Sequence, residues 1–139
     1  MQRGFTLIEL VLVMVILGTV AMMASSRFVG SDSFASMAAQ DQLISAARYA
    51  QQIALVRGPT VNTELVTTAT NYQIEVDNNP IVLPSGNLTE TFPDGSTVTA
   101  ATILYTSLGD VPAGPATLTI TVPGEANRTV TIETTGYAH

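Results

Sequence analysis

The N-terminal run FTLIELVLVMVILGTVAMMASS, residues 5–26, is the stretch that decides the fold. It has 22 residues, and Glu9 is its only ionisable side chain. As an α-helix, the run is about 33 Å long, which is enough to cross a hydrocarbon core of about 30 Å. The sequence therefore predicts a transmembrane helix over residues 5–26.

A cleaved secretory signal is the main alternative for this segment. Ala24, Ser25 and Ser26 are small residues of the kind found at a signal-peptidase site. A secretory signal, however, has a shorter apolar region and gives no reason for an acid inside it. The position of Glu9 therefore favours a retained anchor.

Glu9 is costly in this position, because a carboxylate at the centre of a membrane helix costs about 2.5–3.5 kcal/mol, and less near an end. One interpretation is that the side chain lies at the membrane edge and reaches water. The other is that it meets a cationic partner inside an assembly. Taken alone, the residue favours neither interpretation.

The residues around Glu9 carry a recognisable pattern. The run RGFTLIEL, residues 3–10, followed by a long apolar helix, resembles the prepilin processing motif of type IV pilins and type II secretion pseudopilins. The resemblance implies that a prepilin peptidase removes a leader, residues 1–4, by cutting between Gly4 and Phe5, and then methylates the new amine of Phe5. It also implies that Glu9 pairs with the N-terminal amine of a neighbouring subunit in the filament.

A second helix is predicted within residues 27–58. Its apolar side chains recur with a period near 3.6 residues, which predicts an amphipathic helix packed on a domain. These side chains are Leu43, Ala46, Ala47, Ala50, Ile53 and Ala54. Gly58 and Pro59 end the helix, since glycine accepts the left-handed conformation and proline cannot continue the hydrogen-bond ladder. Near its start, residues 30–33 (GSDS) are either a break or an N-cap.

The remainder, residues 59–139, is predicted to be a β-rich globular domain, so the fold class is α+β and pilin-like, with an antiparallel β domain. Alternating β-favouring residues predict strands at Val61–Thr68, Asn71–Val76, Ser96–Thr106, Ala116–Val122 and Arg128–Thr134. The last two strands read as a closing hairpin. Turns are predicted at residues 78–80, 84–86, 93–95 and 112–115.

The composition excludes several classes of protein. The chain has no lysine, and its five arginines face eleven acids, for a formal charge of −6. Residues 28–139 alone carry three arginines and ten acids, a charge of −7, so nucleic acid is not an expected partner. Because cysteine is absent, disulfides and thiolate metal sites are impossible.

Catalytic and metal-binding residues are scarce. His139, the only histidine, is the last residue of the sequence and is expected to be frayed, which leaves no positioned imidazole. Residues 77–79 and Asp110 offer oxygen ligands for calcium, but without regular spacing, so a turn is favoured. We therefore expect no enzyme activity, no cofactor and no metal.

A second resemblance concerns the exported domain. Residues 49–58, the turn at 92–95, the strand at 128–132 and Gly136 are similar to minor pseudopilins typified by the H subunit of type II secretion, and also to a minor pilin of the mannose-sensitive haemagglutinin system. Major pilins commonly carry a C-terminal disulfide loop, so the absence of cysteine favours a minor subunit. The implied partners are other pilin subunits bound through the N-terminal helix, the prepilin peptidase and inner-membrane lipid.

The resemblance implies a single-pass bacterial inner-membrane protein with a periplasmic C-terminal domain, later carried into a pilus or pseudopilus. A tip adhesin or ligand-binding module on a pilin anchor is the alternative function. It predicts an exposed apolar or aromatic patch near Tyr72, Tyr105 or Tyr137. A signal-anchored periplasmic protein without a filament is the third possibility, and it predicts no cleavage after Gly4.

Overall fold

A computed structural model describes residues 6–25 and 31–139. The chain divides into two compact units, Met1–Ser31 and Asp32–His139. The N-terminal unit contains one helix, α1 (Leu7–Ser25). The C-terminal unit contains nearly all of a second helix, α2 (Ser31–Arg57), and all the strands.

Helix α1 lies inside the predicted transmembrane segment, residues 5–26. Within the parts of the chain that the structure describes, no helix is both long and apolar enough to qualify as a membrane span. Phe5, Ser26 and the predicted leader, residues 1–4, lie outside the described residues. The transmembrane segment and the cleaved leader therefore stay predictions.

Helix α2 confirms the predicted amphipathic pattern. One face consists of small apolar side chains that are almost completely buried, namely Ala39, Leu43, Ala46, Ala47, Ala50 and Ala54. Ser31 already belongs to the helix, so residues 31–33 do not break it. Gly58 has a φ of 84° and follows the last helical residue, which confirms the predicted glycine stop.

Eight strands follow α2 and form two antiparallel sheets, which confirms the α+β class. The strands are β1 (Thr63–Thr67), β2 (Asn71–Val76), β3 (Asn79–Pro80), β4 (Glu90–Thr91), β5 (Thr97–Val98), β6 (Ala101–Tyr105), β7 (Ala116–Thr121) and β8 (Arg128–Ile132). The first sheet has the order β3-β2-β1-β6, with β4 also paired to β2, and the second has the order β5-β7-β8. Buried residues of α2 and of both sheets share one apolar core.

The single strand predicted over Ser96–Thr106 is wrong. The segment forms β5 in the second sheet and β6 in the first, and Thr99 lies between them. The Thr67 hydroxyl donates a hydrogen bond to the Thr99 carbonyl at 2.9 Å, and this bond ties the crossing to β1. The chain therefore changes sheets where the alternation alone predicts a continuous strand.

The turn predicted at residues 78–80 is displaced by one position. Asp77 and Asn78 form a two-residue hairpin loop with φ angles of 51° and 60°, and Val76 pairs with Asn79. Two positive φ angles are the signature of a type I′ turn, which matches the twist of the flanking strands. The loop therefore begins one residue before the predicted turn.

The closing hairpin is confirmed. Strands β7 and β8 pair in an antiparallel register, with Leu118 opposite Val130 and Thr119 opposite Thr129. Leu118 and Val130 are buried, whereas threonines alternate with the buried residues along both strands. The pairing therefore follows the period of two read from the sequence.

The C-terminal residue is not frayed, so that prediction was wrong. The backbone of His139 exchanges hydrogen bonds with that of Thr131, at 2.9 and 3.0 Å. The imidazole Nε2 lies 3.2 Å from a carboxylate oxygen of Glu133. The final residues add to the edge of β8, which satisfies backbone groups that an open edge leaves unpaired.

Candidate assembly interface

Between Leu7 and Val20, helix α1 exposes its apolar side chains on every face. The large apolar residues between Leu7 and Val20 range from 46 % exposed at Val13 to 81 % at Leu7. An apolar surface of this extent on a chain marks contact with another protein or with a membrane. A helix that is apolar all round is normally enclosed on all sides.

A shallow apolar groove of about 280 Å³ runs along one face of α1. All of its lining residues are aliphatic, and they recur at helical spacing. They are Ile8, Val11, Leu12, Val15 and Ile16. Side chains three and four residues apart form ridges and grooves into which another helix packs. The groove therefore has the shape and chemistry of a helix-packing surface.

Glu9 lies in the first turn of α1 and faces solvent. Its Oε2 accepts hydrogen bonds from the Thr6 backbone N–H at 3.5 Å and from the Thr6 hydroxyl at 3.4 Å. A carboxylate in this position also interacts favourably with the positive end of the helix dipole. The acid therefore helps to begin the helix that it occupies.

The contact between Thr6 and Glu9 is part of a capping box, a role that the sequence interpretation missed. The signal was present, because a threonine followed three residues later by a glutamate marks a helix N-terminus. Both hydrogen bonds are long, at 3.4 and 3.5 Å, compared with about 2.9 Å for a typical N–H···O bond. The carboxylate therefore keeps most of its capacity for a stronger partner.

The other predicted site residues lie outside the region that the structure describes. Gly4 and Phe5, the predicted processing pair, precede Thr6, the first described residue. Over residues 6–25 and 31–139 the one contact between a basic and an acidic side chain is that of His139 with Glu133. Glu9 therefore has no cationic partner among the described residues.

Polar contacts fix α2 to the second sheet and to two loops of the domain, and the sequence interpretation missed them. The guanidinium of Arg128 donates to Ser36 Oγ at 3.0 Å and to Gln40 Oε1 at 3.3 Å. Gln51 Nε2 donates to the carbonyls of Gly109 at 3.1 Å and Thr135 at 2.9 Å. Ser36 lies seven residues before Leu43, so a polar residue on the apolar stripe was the available signal.

The three tyrosines singled out for a tip adhesin lie in different surroundings. Tyr105 is only 1 % exposed, and burial raises its pKa well above the usual range. Tyr72 is half-buried against Phe92, with 5.4 Å between ring centroids. Tyr137 is exposed, but the Arg48 guanidinium covers its ring at 5.8 Å.

The candidate calcium turn is used by the backbone instead. Asp77 Oδ1 accepts a hydrogen bond from the Asn62 N–H at 3.0 Å, and Asp77 adopts the left-handed conformation. Among the residues described, no group of three or more histidine, aspartate or glutamate side chains is placed to hold a metal ion. The interpretation as a turn therefore accounts for this segment.

The comparisons with known proteins agree with this organisation. A family model described as the prokaryotic N-terminal methylation motif matches residues 1–25. A second model, described as type II transport protein GspH, matches residues 39–136, which is well over half of the chain. The chain belongs to the GspH family. The resemblance to the H subunit seen in the exported domain is thereby confirmed.

A solved structure gives the fold of the GspH-family chain a second line of support. The type IV minor pilin FimU of Pseudomonas aeruginosa superposes with a TM-score of 0.57 and 17 % sequence identity. The match covers 75 % of this chain and 86 % of that chain. No curated protein matches the sequence.

The methylation motif, the GspH family and the pilin fold make the chain a minor pilin or pseudopilin subunit of a type IV pilus or a type II secretion system. This confirms the function predicted from the N-terminal motif. The matching families are structural subunits rather than enzymes.

Proposed function

We propose that the subunit is processed between Gly4 and Phe5 by a prepilin peptidase, which also methylates the new amine of Phe5. The run RGFTLIEL at residues 3–10 supports the proposal, as does the match of the methylation motif to residues 1–25. A glycine before the cut lets the backbone lie extended in a protease cleft. Arg3 keeps the leader on the cytoplasmic side of the inner membrane.

Helix α1 then serves two environments in succession. Before assembly, its apolar side chains contact inner-membrane lipid, with the β domain in the periplasm. On assembly, helices of neighbouring subunits replace the lipid. The exposure of apolar residues on all faces of α1 carries this proposal, since both environments require a helix that is apolar all round.

Glu9 sets the register between neighbouring subunits. We expect its carboxylate to accept the N-terminal amine of the next subunit, so that both charges are neutralised inside the apolar filament core. The weak hydrogen bonds to Thr6 hold the carboxylate at the first turn, close to the new N-terminus, and leave its oxygens able to bind the amine. Glu9 is thus an assembly residue rather than a catalyst.

Mass spectrometry of the intact protein and of its N-terminal peptide tests the processing step. Protein from the native membrane is expected to lack Met1–Gly4 and to carry a methyl group on Phe5, but only when the peptidase is present. Gly4→Leu should block the cut, because a bulky side chain obstructs the extended backbone, whereas Gln2→Ala should not. An intact N-terminus, or a cut near Ser26, would contradict the proposal.

The role of Glu9 has its own test. Glu9→Gln removes the charge of the side chain and keeps its shape. Incorporation of this variant into sheared filaments should fall about tenfold or more, because the N-terminal amine of the next subunit is then buried without a partner of opposite charge. Glu125→Gln, an acid in the β domain, is the matched control and should assemble normally. Wild-type incorporation of Glu9→Gln would exclude the register role.

A further inference from the structure

A cleft between α2 and the first sheet is left unexplained by assembly through α1. It has a volume of about 300 Å³, and we call it the tyrosine cleft. Its walls include Gln42, Tyr49, Tyr72, Ile74, Leu83 and Glu90. All of them belong to the C-terminal unit, so the cleft is formed by the folded domain itself. A volume at the lower end of the range for ligand pockets suits one side chain rather than a large ligand.

The walls combine aromatic and aliphatic surface. Ile74 is fully buried and Leu83 is 4 % exposed, so the inner wall is dry and apolar. Tyr49 and Tyr72 are both half-buried, and each contributes an aromatic ring. Aromatic faces attract cations through their negative π-surface, and they also accept the apolar stem of a long side chain.

The charged group of the cleft is Glu90, which is half-buried at the start of β4. Its carboxylate accepts one long hydrogen bond, from Asn87 Nδ2 at 3.4 Å. Burial, together with the charge of Glu90, raises the pKa of Tyr72, so this phenol stays neutral beside the carboxylate. The cleft therefore carries negative charge and repels anions.

Among the residues that the structure describes, no lysine or arginine forms an ion pair with Glu90. The chain has no lysine. Arg48 covers Tyr137, and Arg128 binds Ser36 and Gln40, so both guanidinium groups are engaged elsewhere.

Gln42 adds a second acceptor. Its Oε1 is buried and has no hydrogen-bond partner among the described residues. A buried amide oxygen without a donor is destabilising, because nothing replaces the hydrogen bond that it loses to water. Because Gln42 lines the cleft, its amide is a second polar group for a donor that enters there.

We propose that the tyrosine cleft binds an arginine side chain of a neighbouring subunit in the filament. A guanidinium stacks on aromatic rings, donates to a carboxylate through a planar fork and has donors left for an amide oxygen. The charge of −7 on residues 28–139 attracts a basic partner over a longer range. The proposal rests on the chain being a filament subunit, and it concerns a surface separate from α1.

Binding of a small probe to the full chain in detergent micelles tests the proposal directly. The probe is Nα-acetyl-arginine methylamide, and its citrulline analogue is the neutral control of nearly the same shape. Amide and tyrosine-ring resonances are followed by NMR as each compound is added. The arginine probe should shift resonances of Tyr49 and Tyr72 and bind about fivefold or more tightly than citrulline, since the charge contributes to both contacts.

Two variants locate the charge that the probe meets. Glu90→Gln should weaken arginine binding about threefold to fivefold and leave citrulline binding unchanged. Glu125→Gln removes an acid from the turn after β7 and should leave both affinities unchanged. The dispersion of the amide spectrum confirms that each variant is folded.

Three outcomes would overturn the proposal. These are equal binding of arginine and citrulline, shifts confined to residues outside the cleft, and insensitivity to Glu90→Gln. The titration uses isolated subunits, so a failure of processing or of filament assembly does not affect it. Conversely, Glu90→Gln should leave cleavage after Gly4 unchanged, whereas Glu9→Gln should leave probe binding unchanged.

Discussion

The two helices of the chain differ in the burial of their apolar side chains. In α1, the large apolar side chains from Leu7 to Val20 are all exposed. In α2, the apolar face from Ala39 to Ala54 is buried against the domain. The second helix finds its partner within its own domain, whereas the first leaves its apolar surface exposed.

Side-chain size sharpens this difference. The buried face of α2 is mostly alanine, so its backbone lies close to the sheets, and Leu43 is its one large, fully buried side chain. The exposed surface of α1 is built from leucine, isoleucine, valine and methionine. Short side chains suit close packing against one fixed partner, whereas large side chains suit both contact with lipid and packing between helices.

The same substitution in the two helices gives the largest expected contrast. Leu43→Ala should lower the free energy of unfolding by about 2–5 kcal/mol, because it leaves a cavity in the core. Leu12→Ala should change it by less than about 0.5 kcal/mol, since that side chain is exposed. Urea denaturation of the full chain in detergent measures both. Equal effects would show that α1 also packs within its own chain.

The contacts that hold α2 inside the domain provide the next test. Gly136 has a φ of 78°, and a Cβ on it would collide with the Gly109 carbonyl oxygen, to which Gln51 also donates. Gly136→Ala should therefore cost at least about 2 kcal/mol of unfolding free energy. Gly124→Ala, which has a φ of 87° and open space, should cost only about 1 kcal/mol. Similar losses of unfolding free energy in the two variants would mean that the contacts among Gly136, Gly109 and Gln51 do not restrain α2.

The smallest expected effect is a pH dependence confined to the core shared by α2 and the sheets. Burial raises the pKa of the Tyr105 phenol, so the folded state keeps its proton at a pH where the unfolded chain has lost it. This contribution to stability is complete below about pH 10 and is lost as the pH rises further. Tyr105→Phe should therefore lose less stability than the wild type above about pH 10.

At neutral pH, Tyr105→Phe should be nearly neutral, because the buried hydroxyl has no hydrogen-bond partner among the described residues. Tyr72 keeps its own raised pKa in the variant, so some alkaline loss remains. The measurement is the denaturant midpoint of both proteins below and above about pH 10. Parallel losses in the variant and the wild type would assign the alkaline transition to other groups.

Local patterns predicted the parts of the fold that depend on local chemistry. The alanine stripe of α2, the stop at Gly58 and the pairing of β7 with β8 all follow from spacing and turn residues. The split between β5 and β6 did not, because β5 pairs with β7 and β6 pairs with β1, and these partners are distant in sequence.

The site residues divide in the same way. The proposed assembly role of Glu9 rests on the motif, and the capping box with Thr6 was also readable from four adjacent residues. The tyrosine cleft was not readable, because folding brings Tyr49, Tyr72 and Glu90 together from one helix and two strands. His139 was misjudged because strand pairing at the edge of β8 involves residues apart in sequence.

Site-specific photo-crosslinking from α1 tests the central claim most directly. A benzophenone amino acid replaces Val15, which lies in the apolar groove, and filaments are sheared from cells and irradiated. The account predicts covalent adducts to another subunit chain in assembled filaments, and loss of those adducts when Glu9→Gln is added. Adducts to lipid alone, with none to protein in filaments that contain the subunit, would contradict assembly through α1.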